Sequence, residues 1–472
     1  MSTLTLSFVA ESMLPSPYIS PSSPLKGSDN KKWGNVIVKD VKTDSRQVSP
    51  GTLFVAIPGA KVDGHDFIHM AEAQGAVGVV ISRSVNTTLP TLLVQNTVQA
   101  LGQLAKAYRQ SFQIPLVAIT GSSGKTTTKE MLTRILAEQG SVLSTQGNFN
   151  TEIGVPLTLL GLLPDHQYAV VEMGARKQGD ISYLMGLATP RISMITNAGI
   201  AHQEIFGSKA GIAKAKGEIF ECLQPKGTAI INADDEYADY WHSLLKADQR
   251  IITFGSDNTR HNADVFGKNI VLEPTLSQFE LNTDIGAVTI QLQTPGLHMV
   301  QNAIAAAATA RALNIPLLNI KTGLENFLPV SGRLQFKKGL EGVSIIDDTY
   351  NANPISMRAA LAVLSQLPGK RIFVMGDMAE LGEDSEKLHD EIGQDAKNLG
   401  IHKMFGVGPM TALAIQAFGQ NATHFSDQSL LIQALKSDIH SDTTILIKGS
   451  RFMRMEEVVF ALTTDCQETH AC

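Results

Sequence analysis

The sequence predicts an α/β protein of three domains: a small α/β N-terminal domain, a central P-loop-type mononucleotide-binding α/β domain and a C-terminal Rossmann-like α/β domain. Three observations carry this expectation. The chain has 472 residues, enough for about three domains of ordinary size. Short β-branched runs alternate with helical stretches along most of its length, the pattern of parallel sheets flanked by helices. The alternation breaks at two seams, one at Pro115 and one at LPVSGR, Leu328 to Arg333. The expected domains are therefore 1–113, 114–328 and 329–472.

In chain order, the first domain mixes strands such as TLFVAIPG (Thr52 to Gly59) and GVVIS (Gly78 to Ser82) with helical stretches including VQALGQLAKAYRQ. The second opens on IPLVAIT, Ile114 to Thr120, and continues through YAVVEM, RISMIT, TAIINA and RIITFG to a helix NAIAAAATARAL, Asn302 to Leu313. In the third, SIIDD, RIFVMGD, KMFGVG and TILIKGS restart the alternation. Ligands of open sheets lie beyond the carboxyl ends of the strands, so Asp347, Asp348, Asp377 and Lys448 are expected to line one crevice.

Composition limits the function. With 43% hydrophobic and 18% charged residues the chain is of ordinary globular type. A net charge of −6 opposes a broad nucleic-acid footprint, which needs a basic surface. Cys222, Cys466 and Cys472 show neither metal-site spacing nor an even set, which points to a reducing cytoplasm. No apolar run approaches a membrane span, and no Lys or Arg precedes Lys26 to form a signal-peptide head. The Pro, Ser and Gly crowding Pro15 to Ser28 reads as a loop. A monomer is the default expectation.

The chemistry starts at Gly121-Ser122-Ser123-Gly124-Lys125-Thr126-Thr127, placed between a strand and a helix with Met131, Leu132, Ile135 and Leu136 on one face. Small residues let backbone N–H groups approach a phosphate, the helix N-terminus adds partial positive charge, Lys125 reaches the terminal phosphates and the Thr126 hydroxyl suits Mg²⁺. Its G-x-x-G-K-T spacing is tighter than the common phosphate loop. Four other residues admit two readings each. Glu172, ending YAVVEM, is either a Mg²⁺ ligand or a solvated loop acid. Lys216, on a helix after Asn197 and His202, is either solvated or a carbamate holding a second Mg²⁺ near His202; the residues alone favour solvation. Asn302, after His298, either caps a helix or reads an adenine edge. Arg333 either reaches a γ-phosphate or pairs with a carboxylate at a hinge.

Together the motifs resemble the Mur ligases of peptidoglycan synthesis. GSSGKTTTKEM, GNFNTEIGVPLTLL, EMGA, HQEIFGS, DDTYNANPISMRAAL, MGDMAELGEDS and KGSRFMRMEEVV occur in order along nearly the whole chain. The phosphate loop is common to that family and to folylpolyglutamate synthetases, whereas DDTYNANP, MAELGEDS and KGSRFMRME resemble the members that add D-alanyl-D-alanine.

The resemblance implies an ATP-dependent amide ligase, with ATP and two Mg²⁺ ions as cofactors and UDP-N-acetylmuramoyl-tripeptide and D-Ala-D-Ala as substrates. It implies that Lys125 and Thr126 hold phosphate and metal, that Glu172 shares that metal, and that His202 and a carbamylated Lys216 hold the second, against the plain reading of Lys216. Asn302 would read adenine, and Arg333 and Asp348 would bring the C-terminal domain onto the γ-phosphate and ribose. Ser45 and Arg46 are the implied uridine-nucleotide contacts of the N-terminal domain. Many relatives carry an Asn after the His of the adenine segment, where this chain has Met299. Asn351, Asn353 and His389 are candidates for the dipeptide without a spacing argument. The rival readings are a sibling ligase with another amine and a non-enzymatic nucleotide switch.

Overall fold

The computed structural model describes residues 4–13, 35–59, 61–199, 203–256 and 262–463. The Pro15 to Ser28 stretch and His202 lie outside these residues, as do Cys466 and Cys472. Three sheets organise what is described. The first is wholly parallel and orders β1 (Asp40–Lys42), β2 (Thr52–Val55), β3 (Gly78–Ile81) and β4 (Thr91–Leu93) consecutively. Every residue of β2 and β3 is buried, as expected for strands covered on both faces.

Helix Thr97–Gln110 closes this sheet and also forms the seam with the next domain. Asn96 starts it by accepting from the N–H groups of Val98 and Gln99. It packs on helices Gly154–Leu160 and Asp180–Ala188 of the central domain. At its end the buried Arg109 guanidinium donates to the carbonyls of Phe112 (2.7 Å), Ile114 (3.0 Å) and Ala188 (3.3 Å). One side chain thus ties the inter-domain turn to the central domain.

The central sheet has nine strands: β5 (Leu116–Thr120), β6 (Ser141–Ser144), β7 (His166–Glu172), β8 (Ile192–Ile195), β9 (Thr228–Asn232), β10 (Arg250–Gly255), β11 (Val265–Leu272), β12 (Ser277–Thr283) and β13 (Gly286–Leu292). Their order is 13-12-11-10-9-8-5-7-6. Strand β5 lies between β7 and β8, parallel to both, so the segments after Thr120, Glu172 and Ile195 emerge side by side. The expected phosphate-loop helix runs Lys125–Ala137 with Met131, Leu132, Ile135 and Leu136 fully buried. The antiparallel β11–β12–β13 extension was not expected from the sequence. The helix expected from Asn302 begins at Leu297, because Gly296, at φ +105°, makes the break. Its alanines from Ala303 to Ala310 are buried and let it lie against helix Lys125–Ala137.

The third sheet orders β14 (Gln335–Lys338), β15 (Ser344–Asp347), β19 (Thr443–Lys448), β16 (Lys370–Gly376), β17 (Lys403–Val407) and β18 (Ala422–Phe425); only β14 is antiparallel. It is doubly wound, with β19 inserted between β15 and β16, which makes a switch point beside the ends of those strands. Helix Pro354–Ser365 follows β15 with a capping box of Asn353 and Ser356 and a Pro at its start. This domain rests on the central one: a Cβ at Gly199 would meet the Ile355 side chain, one at Gly296 would meet Val363, and Gly382 packs against Glu204.

Candidate active site

A cavity of about 650 Å³ lies where the carboxyl ends of the central strands face the C-terminal domain. The phosphate loop, Gly121 to Thr127, forms one wall; Asn302, Arg333, Asp348, Glu172 and Lys216 also line it. The loop is shaped by two left-handed glycines. Gly121 has φ +155° and Gly124 φ +78°, and side chains there would strike Thr196 Oγ1 and Asn302 Oδ1 respectively. Asn197 braces the loop from β8: its carbonyl accepts from Ser122 N (3.0 Å) and its Oδ1 from Ser123 N (3.0 Å). The Ser122 hydroxyl donates to Gly199 O at 2.8 Å.

Glu172 is buried and fully engaged. Its Oε2 accepts from the Thr126 hydroxyl at 2.7 Å, its Oε1 from Asn150 Nδ2 at 2.8 Å, and its backbone N–H donates to Thr145 Oγ1 at 2.9 Å. This excludes the solvated-loop reading. The Thr126 oxygen also accepts from Arg333 Nη2 at 2.9 Å, so an arginine of the C-terminal side touches the phosphate loop directly. Arg333 lies over the Tyr350 ring, 4.3 Å from its centroid. No carboxylate pairs with it among the described residues.

Two lysines sit in the same wall. Lys125 Nζ donates to Gly121 O at 2.6 Å; burial and the nearby Arg333 lower its pKa, and Glu172 raises it. Lys216 is 5% exposed, on helix Lys209–Glu221. Burial, and then the charge of Lys125, hold its pKa well below the ordinary lysine value. No carboxylate pairs with it among the described residues, so the solvated reading does not hold. A negative group on that nitrogen would satisfy a pocket that otherwise brings two cations together.

Asn302 lies inside helix Leu297–Ala312, whose N-cap is Gly296, so it is not a cap. Its Oδ1 accepts from Thr128 Oγ1 at 3.3 Å, linking the two helices. His298 packs toward Asp348 and Lys448; burial lowers its pKa to about 4, with Lys448 lowering it and Asp348 opposing. The ring is therefore neutral at physiological pH. Asp348 accepts from Lys448 Nζ at 2.7 Å and from Leu334 N at 3.1 Å.

Several expected residues fall elsewhere. Of the four strand-end groups, Asp348 and Lys448 share the cavity, but Asp347 and Asp377 do not. Asp347 points to the other face, as alternation along a strand requires, and pairs with Lys337 at 2.8 Å beside a second cavity of about 580 Å³. Asp377 instead accepts from Thr411 N at 2.8 Å, capping helix Thr411–Phe418. His389 is fully buried, donating from Nδ1 to Ser385 O (2.7 Å) and accepting at Nε2 from Met378 N (2.9 Å), and is structural. Asn351 and Asn353 line the main cavity, although the Asn353 side chain also caps its helix. Ser45 and Arg46 are outside it, on a short 3-10 turn where Arg46 pairs with Asp44 at 2.6 Å. Asn150 and Tyr350 also line the cavity, from within GNFNTEIG and DDTYNANP, whose spacing does not single them out.

A Thr hydroxyl hydrogen-bonded to a carboxylate at the mouth of a phosphate loop fits one Mg²⁺, which takes few protein oxygens and leaves the rest to phosphate and water. Among the described residues no three His, Cys, Asp or Glu side chains form a metal cluster. A second ion would need Lys216 in acidic form and His202.

A three-domain α/β chain whose C-terminal Rossmann-like domain faces a phosphate loop across one cavity is of the multidomain nucleotide-binding class. The chain belongs to the Mur ligase family. Family signatures match residues 38–109 (Mur ligase family, catalytic domain), 119–310 (Mur ligase middle domain) and 332–451 (Mur ligase, glutamate ligase domain). The UDP-N-acetylmuramoyl-tripeptide–D-alanyl-D-alanine ligase of Escherichia coli strain K12 is 43% identical over 95% of this chain and 96% of its own. Among solved structures, MurF from Acinetobacter baumannii is 35% identical with a TM-score of 0.87, covering 98% of both chains. MurF ligase from Thermotoga maritima in complex with ADP is 28% identical with a TM-score of 0.79, covering 90% of this chain and 97% of that one.

Proposed function

We propose that the protein joins the amine of D-alanyl-D-alanine to the terminal carboxylate of UDP-N-acetylmuramoyl-tripeptide, with ATP converted to ADP and phosphate. The observation that carries this reading is the Arg333–Thr126–Glu172 chain across the domain boundary, in a chain 43% identical to a ligase of that name. A hydroxyl is a poor leaving group, so the carboxylate is first phosphorylated by ATP. The dipeptide amine then attacks the acyl phosphate and phosphate departs.

The residues divide the work. Backbone N–H groups of Gly121 to Thr127 cradle the phosphates, and Lys125 neutralises charge at their end. Arg333 reaches the same point from the C-terminal side, where it can stabilise charge only when the two domains are together. Asn302 reads the adenine edge and Asp348 the ribose, each oxygen of Asp348 keeping spare acceptor capacity. Thr126 and Glu172 would hold one Mg²⁺, and His202 with a carbamylated Lys216 a second; bound there, such ions would supply Lewis-acid neutralisation of phosphate charge. Ser45 and Arg46 contact the uridine nucleotide. Closure of the C-terminal domain over residues 114–328, hinged at LPVSGR, excludes water that would hydrolyse the acyl phosphate.

The test is phosphate release measured with each substrate omitted in turn. Release should need ATP, the UDP-muramoyl-tripeptide and D-Ala-D-Ala together. A second arm with lysine- and diaminopimelate-containing tripeptides identifies the acceptor. Release independent of the dipeptide would reject the reading in favour of a hydrolase or switch.

A further inference from the structure

The backbone on both sides of Arg333 is in the left-handed region: Gly332 has φ +71° and Leu334 φ +51°. For a buried leucine that conformation is strained and persists only where neighbours enforce it. Both enforcing contacts come from one short segment after β15. Asp348 Oδ1 accepts from Leu334 N at 3.1 Å, and Tyr350 N donates to Gly332 O at 3.0 Å. Tyr350 then places its ring under the guanidinium, 4.3 Å from centroid to Arg333 Cζ, while Nη2 points to Thr126. The Tyr350 hydroxyl makes no hydrogen bond among the described residues.

Arg333 has four rotatable side-chain bonds, and a single hydrogen bond to a hydroxyl would fix it poorly. The ring supplies what is missing: a flat, electron-rich face that sets the plane of the guanidinium and leaves its edge donors free. We infer that Tyr350 is a positioning residue that acts through Arg333, holding the guanidinium in the plane from which it addresses the terminal phosphate. This rests on the ligase reading for its kinetic consequence, but not for the stacking itself. The ring face is the working part, so phenylalanine should replace tyrosine and an aliphatic side chain should not.

Two measurements test it. In steady-state phosphate release with all three substrates, Tyr350→Leu should lower kcat about tenfold, with KM for ATP changed by less than about twofold. Tyr350→Phe should retain most of the rate. In the Arg333→Ala background Tyr350→Leu should add no further loss, because the group it orients is gone. Equal losses in both backgrounds, or a raised KM for ATP at unchanged kcat, would overturn the inference; the latter would mean that the ring packs on the nucleotide. Independently of turnover, the Nε–H resonance of Arg333, assigned by its loss in Arg333→Ala, should be ring-current shifted in the unmodified protein and in Tyr350→Phe. It should move toward the ordinary arginine position in Tyr350→Leu, and a resonance that is unshifted in the unmodified protein would also overturn the inference. Should no dipeptide-dependent turnover be found, the resonance still decides whether the stacking exists, while the ligase reading fails separately.

Discussion

Arg333 Nη2 donates to Thr126 Oγ1 across 2.9 Å, although the two residues are separated by most of the central domain in sequence. Thr126 in turn donates to Glu172 at 2.7 Å. One hydroxyl therefore meets the arginine that follows the second seam and the carboxylate of the central sheet. Arg333→Ala should lower kcat by about a hundredfold or more, as loss of a transition-state donor does, and leave nucleotide affinity within a few-fold. Calorimetric ATP titration beside steady-state kinetics checks this. Intact turnover would return Arg333 to a hinge role.

Lys216 sits beside Lys125 with no carboxylate partner among the described residues, and burial pushes its pKa down, in the direction of the neutral amine that reaction with carbon dioxide requires. Lys216→Ala should abolish nearly all turnover, with partial recovery in added small carboxylates. Protein equilibrated with ¹³C-bicarbonate should show a carbamate resonance that Lys216→Ala lacks. An Ala variant that stays active, or an unmodified protein without that resonance, would reject the carbamate.

His298 has a pKa of about 4 against 6.5 for the free side chain. Between those values the unfolded chain binds more protons than the folded one, so stability is complete above pH 6.5 and is lost as pH falls toward 4. The loss is on the order of 3 kcal/mol. Thermal unfolding followed against pH should show a steeper acid decline in the unmodified protein than in His298→Asn. Identical slopes would mean that His298 is not held neutral by its surroundings.

Gly124→Ala tests the shape of the phosphate loop. The new methyl group would face the φ +78° penalty and collide with Asn302 Oδ1. We expect a loss of about 1–3 kcal/mol in stability and a weaker grip on ATP. Unfolding in urea and nucleotide titration measure the two. An unaffected variant would show that the loop relaxes freely.

What the sequence displayed and what it hid differ in range. The β5–loop–helix unit was readable because every residue that makes it lies within one short stretch, and the buried face of Met131, Leu132, Ile135 and Leu136 follows from helical period. Asn302 was ambiguous because capping and ligand reading use the same amide; Gly296, upstream, starts the helix earlier and removes the cap reading alone. Asp377 looked like a ligand at a strand end, and only the folded chain shows Thr411 N as its partner. His389 carried a usable local signal: Ile392, Gly393 and Ala396 place it on the buried stripe of its own helix. The β11–β13 extension carried a usable signal in two of its strands, where the buried Phe279 and Leu281 of β12 and Ile290 and Leu292 of β13 alternate with polar residues; β11 shows no such period. Its strands depend on neighbours in the sheet.

The most direct measurement is the omission experiment on phosphate release. With ATP, UDP-N-acetylmuramoyl-tripeptide and D-Ala-D-Ala all present, phosphate should appear in step with the pentapeptide product, and omission of any one should stop both. Phosphate released at the same rate without D-Ala-D-Ala, or with no amide product, would contradict the ligase account.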